Sequence, residues 1–246
     1  MNAIIQTGNG LLWVGTESGL ASFDGREFIP IDLHIAGAPH QGAVESLVEA
    51  ANGDLWVGTH AGVVLIPRDA LDQFDPKQLI YYQLSPGTSD EVESLYQTRD
   101  GAIWVGTNRG LYRKESGKFV SVISATSVNR IAESLDGHLL LITGLGFVEW
   151  DGQRIVEHTG LAASLGVHDD QIINVFQDRT GTMWYCTETG IVRRLFATNV
   201  RGPFFLVQQL LPIFGAKTER DQRFERSAPA RRVFHGEQSG GDRHDS

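Results

Sequence analysis

Apolar residues in this chain come in short runs, among them Ile4-Ile5, Leu11 to Val14, Leu55 to Val57, Ile103 to Val105 and Leu139 to Ile142, each bounded by Gly, Asn or Asp. Runs of this length with such boundaries predict β-strands. They also recur. Aligned on Trp13, Trp56, Trp104, Leu140 and Trp184, the chain repeats with a mean period of about 43 residues, and five copies fit between Met1 and roughly Ala197.

Three registers are identical in all five copies. A glycine stands three residues before the anchor (Gly10, Gly53, Gly101, Gly137, Gly181), a threonine three after it (Thr16, Thr59, Thr107, Thr143, Thr187), and a second glycine six after it (Gly19, Gly62, Gly110, Gly146, Gly190). An aliphatic strand opens each copy, with Ile4, Leu47, Leu95, Ile131 and Val175 nine residues before the anchor. The pairs Asn9-Gly10, Asn52-Gly53, Asp100-Gly101 and Asp136-Gly137 have the composition of two-residue hairpin turns with positive φ at both central residues.

The second strand, Leu55-Trp56-Val57 or Ile103-Trp104-Val105, is apolar without alternation, which predicts burial on both faces. The later glycine turns the chain into a third strand, and Arg26 to Ile31 and Lys118 to Val122 are fourth strands. Four short antiparallel strands per copy predict an all-β fold, a β-propeller of five four-stranded blades, either a closed small ring or a partial arc of a larger one. The blades span about 1–43, 44–91, 92–127, 128–171 and 172–211, giving a propeller over about 1–200 and a tail over 212–246. Four equivalent tryptophans cannot all line one site, so they are assigned to packing between blades, and the threonine hydroxyls to strand-end backbone groups.

Composition narrows the function. The 246 residues carry 30 acidic and 21 basic side chains, net −9, which offers no basic face for nucleic acid. A lone Cys186 supports neither an internal disulfide nor a thiolate metal cage. The longest uncharged run, Gly202 to Ala216, is broken by two prolines and falls short of the roughly 20 apolar residues of a membrane span. Met1 leads within a few residues to Gly8-Asn9-Gly10, unlike a secretory signal, so the chain as written reads as cytoplasmic.

The string Asp100-Gly101-Ala102-Ile103-Trp104-Val105-Gly106-Thr107-Asn108-Arg109-Gly110-Leu111 resembles the two-component regulator propeller repeat. The likeness covers about Met1 to Ala197 and is strongest in the first three copies; the fourth has Leu140 and Ile142, and the fifth Tyr185 and Cys186, at the Trp-Val-Gly registers. The resemblance implies a non-catalytic, ligand-recognising sensor region of a bacterial two-component receptor, periplasmic, taking a small-molecule or oligosaccharide ligand and partnered by an output kinase or other signalling domain. Family members usually carry many more repeats, a membrane helix and an output domain, so this chain reads as a fragment. Two rival functions share the fold: a stand-alone protein-interaction scaffold, and a metal-dependent lyase resembling the streptogramin-inactivating type, whose site needs a His and Glu set. The eight histidines here share no register.

No catalytic residue, cofactor or metal site is expected. Gly144-Leu145-Gly146 lacks the third glycine of a dinucleotide loop, and Ser164 lacks the preceding glycine of a nucleophile elbow. His168-Asp169-Asp170 reads as a loop turn, and Asp69, Asp72 and Asp75 as a solvated acidic face. Tyr81-Tyr82 is assigned to sheet packing in preference to sugar stacking, and Cys186 to an inert buried thiol. Ligand recognition is expected on the loops between blades, His34 to Ala43, Ser85 to Glu91 and Leu161 to Asp170, with no individual residue assignable. From Ala197 the periodicity stops and net charge changes from −11 over residues 1–196 to +2 over the rest. Phe204 to Val207 is a candidate fourth strand for blade five, while Gly215 to Ser246, including Arg231-Arg232, is expected to be disordered, the abnormal end of a truncated or frame-shifted chain.

Overall fold

In the computed structural model the described residues are 1–72, 74–85, 90–158, 168, 172–187, 190–195 and 207–209, all within one compact unit, Met1–Leu210. The expected disordered tail lies outside them.

Five four-stranded antiparallel sheets follow one another along the chain, each in simple up-and-down order. Blade 1 is β1 (Ala3–Gln6), β2 (Leu12–Thr16), β3 (Gly19–Phe23) and β4 (Phe28–Ile31). Blade 2 is β5 (Val44–Glu49), β6 (Leu55–Thr59), β7 (Gly62–Ile66) and β8 (Ile80–Tyr82). Blade 3 is β9 (Val92–Gln97), β10 (Ile103–Thr107), β11 (Gly110–Glu115) and β12 (Lys118–Ser124). Blade 4 is β13 (Val128–Glu133), β14 (Leu139–Thr143), β15 (Gly146–Trp150) and β16 (Ile155–Glu157). Blade 5 is β17 (Ile172–Gln177), β18 (Thr182–Thr187), β19 (Gly190–Leu195) and β20 (Val207–Gln209). The last strand begins where the expected Phe204 to Val207 strand ends.

Each first strand packs along the first strand of the next blade, β1 on β5, β5 on β9, β9 on β13 and β13 on β17. Such stacked sheets are the propeller architecture. Strands β17 and β1 do not pack along each other as consecutive blades do, so the described blades form an arc whose first blade has one face uncovered. This explains a difference in burial. Every residue of β6, β10 and β14 is buried, whereas β2 alternates, because only one of its faces is covered by another blade.

Trp13, Trp56 and Trp104 lie between blades as expected. Trp13 joins Leu55, Val57, Val64 and Ile66 of blade 2, and Trp56 joins Leu95, Ile103 and Val105 of blade 3. Tyr82 belongs to the same seam, its ring 5.5 Å from both Trp56 and Phe119, so Tyr82 packs the sheet as read from the sequence. The threonine register works as expected too. Thr59 Oγ1 donates to the Gly62 carbonyl at 2.9 Å and accepts the Ala61 N–H at 3.1 Å, and Thr107 does the same with Gly110 and Arg109.

The first hairpin turn differs from the expectation. Thr7 pairs with Leu11 around a three-residue loop, the Gly10 N–H donates to the Thr7 carbonyl, and only Gly10 takes positive φ, at 90°. Asn52-Gly53, Asp100-Gly101 and Asp136-Gly137 follow the same plan. This is a three-residue turn closed by a left-handed glycine, and the preceding Asn or Asp instead accepts backbone N–H groups, as Asp100 Oδ1 does from Ala102 at 3.1 Å.

These turns also couple the blades. The side chain seven residues before each anchor accepts an N–H from the turn of the preceding blade: Glu49 from Gly8 (2.9 Å), Gln97 from Ala51 (2.8 Å), Glu133 from Arg99 (2.9 Å) and Gln177 from Leu135 (2.6 Å). An otherwise orphaned turn donor is thereby satisfied at every blade junction.

Candidate functional site

Four of the five inner strands carry a β-bulge one residue after they begin. Thr59 pairs with Val44 but Gly58 with Ser46, leaving Glu45 outside the ladder; Glu93, Asn129 and Ile173 are left out the same way. A bulge frees one residue from pairing and re-aims its side chain. Repeated blade after blade, it delivers Glu45, Glu93 and Asn129 along one rim, at the end where the loops between blades enter.

The rim residues meet across blades. Glu45 Oε1 accepts from Asn2 Nδ2 at 2.9 Å and lies 3.1 Å from His60 Nε2, while Asn2 also donates to Glu17 Oε1 at 3.2 Å. Burial raises Glu93 above the usual carboxylate range, the Glu45 charge adds to this, and Arg130 offsets part of it. Glu91 and His60 act on the same carboxyl. The rim is therefore acidic, with one imidazole and one guanidinium interleaved, an arrangement able to hydrogen-bond a polyhydroxylated or amine-bearing ligand and unfavourable to a polyanion.

The described parts of two of the loops expected to recognise ligand, His34 to Ala43 and Ser85 to Glu91, flank this rim. In His34 to Ala43, Gln41 is buried, its Oε1 lies 3.0 Å from Thr59 Oγ1 and its amide donates to the Pro39 carbonyl at 2.6 Å, a structural role. His34, His40 and Gly42 border a hollow of about 150 Å³ beside Ser18. Of Ser85 to Glu91, residues 86–89 lie outside the described residues; Ser85 Oγ meets the Tyr112 hydroxyl at 2.7 Å in an open polar hollow of about 730 Å³ shared with Asn108 and Arg109. Asp90 is 2% exposed, with no hydrogen bond among the described residues and Arg109 Nε at 3.7 Å. Leu161 to Asp170 is outside the described residues except His168, which is exposed.

The remaining candidates serve the fold. Asp69 is exposed on a short 3-10 turn, Asp72 accepts from Asn9 Nδ2 of blade 1 at 2.8 Å, and Asp75 caps a second turn through the Lys77 N–H at 3.0 Å. Tyr81 donates its hydroxyl to the Ala61 carbonyl at 2.6 Å. Cys186 is half-buried, not buried, and desolvation pushes its thiol up, away from the thiolate form. Sequence reasoning missed the rim residues because the bulged position carries Glu, Glu, Asn and Ile, which do not repeat. Carboxylates occur with histidine elsewhere on blade 4, where Asp136, His138, Glu149 and His158 cluster away from the rim.

Comparison with known proteins bears on this geometry. Residues 86–109 match the family model for the two component regulator propeller. No curated protein matches the chain. Among solved structures, the extracellular domains of two proteins assigned as hybrid two component systems of B. thetaiotaomicron superpose with TM-scores of 0.63 at 21% identity, covering 79% and 85% of this chain. This chain spans only 27% and 28% of their lengths. Virginiamycin B lyase from Staphylococcus aureus superposes at 0.57 with 12% identity, over 84% of this chain and 69% of the lyase. At such identities the likeness is one of fold, while the matched segment falls on the copy whose string is shared, register by register, with its neighbours. Residues 86–109 thus carry a two component regulator propeller repeat, set within a propeller fold.

Proposed function

We propose that this propeller segment is a non-catalytic ligand-recognition element of a bacterial two-component receptor, displayed outside the cytoplasm and coupled to an output kinase or other signalling domain. The observation that carries the binding reading is the repeated inner-strand bulge, which sets Glu45 and Glu93 side by side with His60 and Arg130 on an acidic rim. Its charge favours a neutral or amine-bearing oligosaccharide or small molecule. The extracellular two-component neighbours support the cellular setting, and the lyase neighbour supports only the fold.

The test is calorimetric titration of the chain with neutral, amino and sulfated oligosaccharides. A neutral or amino sugar should bind, and Glu45→Gln combined with Glu93→Gln should weaken it by more than about tenfold, since charge-assisted hydrogen bonds are lost. Glu115→Gln, on the exposed end of β11, should leave binding unchanged. Binding indifferent to the rim substitutions, or chemical conversion of the bound sugar, would overturn the reading.

A further inference from the structure

Blade 4 is the copy that lacks the anchor tryptophan; Leu140 stands there in the apolar seam with blade 5, and its cross-strand partner is the polar Glu149. Register by register, blade 2 has Trp56 with Leu65 opposite it, and Tyr82 as the fourth-strand ring beside them. Blade 4 has Leu140 with Glu149 opposite it, and His158 follows β16 at the place of Tyr82, its ring 5.0 Å from Phe147. His138, two residues before the anchor, completes the substitution; blade 3 has Ala102 there.

The geometry of these groups is convergent. His158 Nε2 lies 2.8 Å from Glu149 Oε2, His138 Nδ1 bonds the other oxygen, Glu149 Oε1, and Asp136 Oδ2 is 3.8 Å from the same His138 nitrogen. One ligand atom each from Asp136, His138 and Glu149 can be chosen so that all lie within 4.8 Å of one another. The Ser134 hydroxyl donates to Asp136 Oδ1, fixing that carboxylate and leaving Oδ2 turned to the cluster. Glu149 and His158 are mostly covered, with side chains 20% and 26% exposed.

A tetrahedral zinc ion with bonds of about 2.0–2.2 Å holds its ligand atoms roughly 3.3 Å apart, a spacing that the donor atoms of Asp136, His138 and Glu149, all within 4.8 Å of one another, reach by small side-chain movements. An imidazole with two carboxylates suits a borderline transition metal and is less suited to Ca²⁺ or Mg²⁺, which take oxygen ligands throughout. His158, 2.8 Å from Glu149 Oε2, supports that ligand from outside the set. We propose that Asp136, His138 and Glu149 form a binding site for a divalent transition-metal ion, with His158 holding Glu149 in place, which ties the turn before β14 to β15 where the tryptophan is missing. This departs from the sequence expectation of no metal site. It is independent of ligand recognition at the rim.

The experiment is titration of the tag-free chain with Zn²⁺, in competition with a chromophoric chelator, alongside thermal melts with and without the ion. Wild type should bind a single Zn²⁺ and melt at higher temperature with it, and Co²⁺ in its place should give the visible ligand-field bands of a tetrahedral site. His138→Ala and Glu149→Leu copy the residues that blades 3 and 2 carry at these registers, so both should fold. Each should weaken Zn²⁺ binding by more than about tenfold and abolish the melting shift, because loss of a ligand costs at least as much as loss of a supporting group. Absence of binding by wild type, or equal affinity in the two folded variants, would overturn the proposal.

Discussion

Blade 5 exchanges the two residues that close its first turn. Blade 3 has Thr98 followed two residues later by Asp100, whereas blade 5 has Asp178 followed by Thr180. The exchange preserves the bonding: Trp13 Nε1 donates to the Thr7 hydroxyl at 3.1 Å in blade 1, and Trp184 Nε1 donates to Asp178 Oδ2 at 2.7 Å in blade 5. The Thr180 hydroxyl and then the Trp184 indole hold the Asp178 carboxyl down at about 2, against 3.8 for an ordinary aspartate. A depressed carboxyl favours the folded state fully above its unfolded pKa, so this contribution is complete above about pH 4 and fades as pH falls through about 2. Carbon-detected NMR titration of the Asp178 carboxyl should therefore give a midpoint near 2, moving upward in Trp184→Phe. A midpoint of 3.8 in the wild-type chain would show that these donors do not act on it.

Among elements, the close approach of neighbouring blades is set by the glycine two residues after the anchor. A Cβ built on Gly106 would lie 2.3 Å from the Val128 carbonyl oxygen and 2.6 Å from Ser94 Oγ; on Gly15 and Gly58 it would strike Val44 and Val92 at 2.6 and 2.5 Å. None of these three has positive φ, so the requirement is room for the next inner strand, not backbone freedom. Gly106→Ala should cost about 1–3 kcal/mol by overpacking, read as a lower urea midpoint at unchanged m-value. A midpoint equal to wild type would mean that the blades shift apart without penalty. The glycine, threonine and tryptophan registers were legible in the sequence because their tasks recur identically in each blade, and periodicity is what a sequence displays. The turn type was not, since Asn-Gly suits both a two-residue and a three-residue loop, and the pairing of Thr7 with Leu11 decides between them. The bonds joining blades through Glu49, Gln97, Glu133 and Gln177 were concealed by the alternation of Glu and Gln, which share the accepting oxygen that matters.

At the scale of the whole molecule, the site was less legible than the fold because it is made by what differs between copies. Glu45 and Glu93 sit at a bulge whose occupant varies, and Asp136, His138, Glu149 and His158 are gathered by sheet pairing from positions that match no sequence motif. The arc itself has a measurable consequence. Leu55 and Leu12 occupy the same register, one before the anchor, in blades 2 and 1. Leu55 is fully buried against Trp13 of the preceding blade, whereas Leu12 is half-buried on the free face of blade 1, opposite Phe23, whose ring packs on Phe28, itself 64% exposed. Leu55→Ala should cost about 2–5 kcal/mol through lost burial and a residual cavity. Leu12→Ala removes the same atoms from a face already open to water and should cost less than half as much. Urea denaturation of the two variants decides the matter. If Leu12→Ala is as damaging as Leu55→Ala, the face of blade 1 is covered in solution and the arc described here is joined by further apolar surface; if it is mild, the five blades hold together on the four junctions between them.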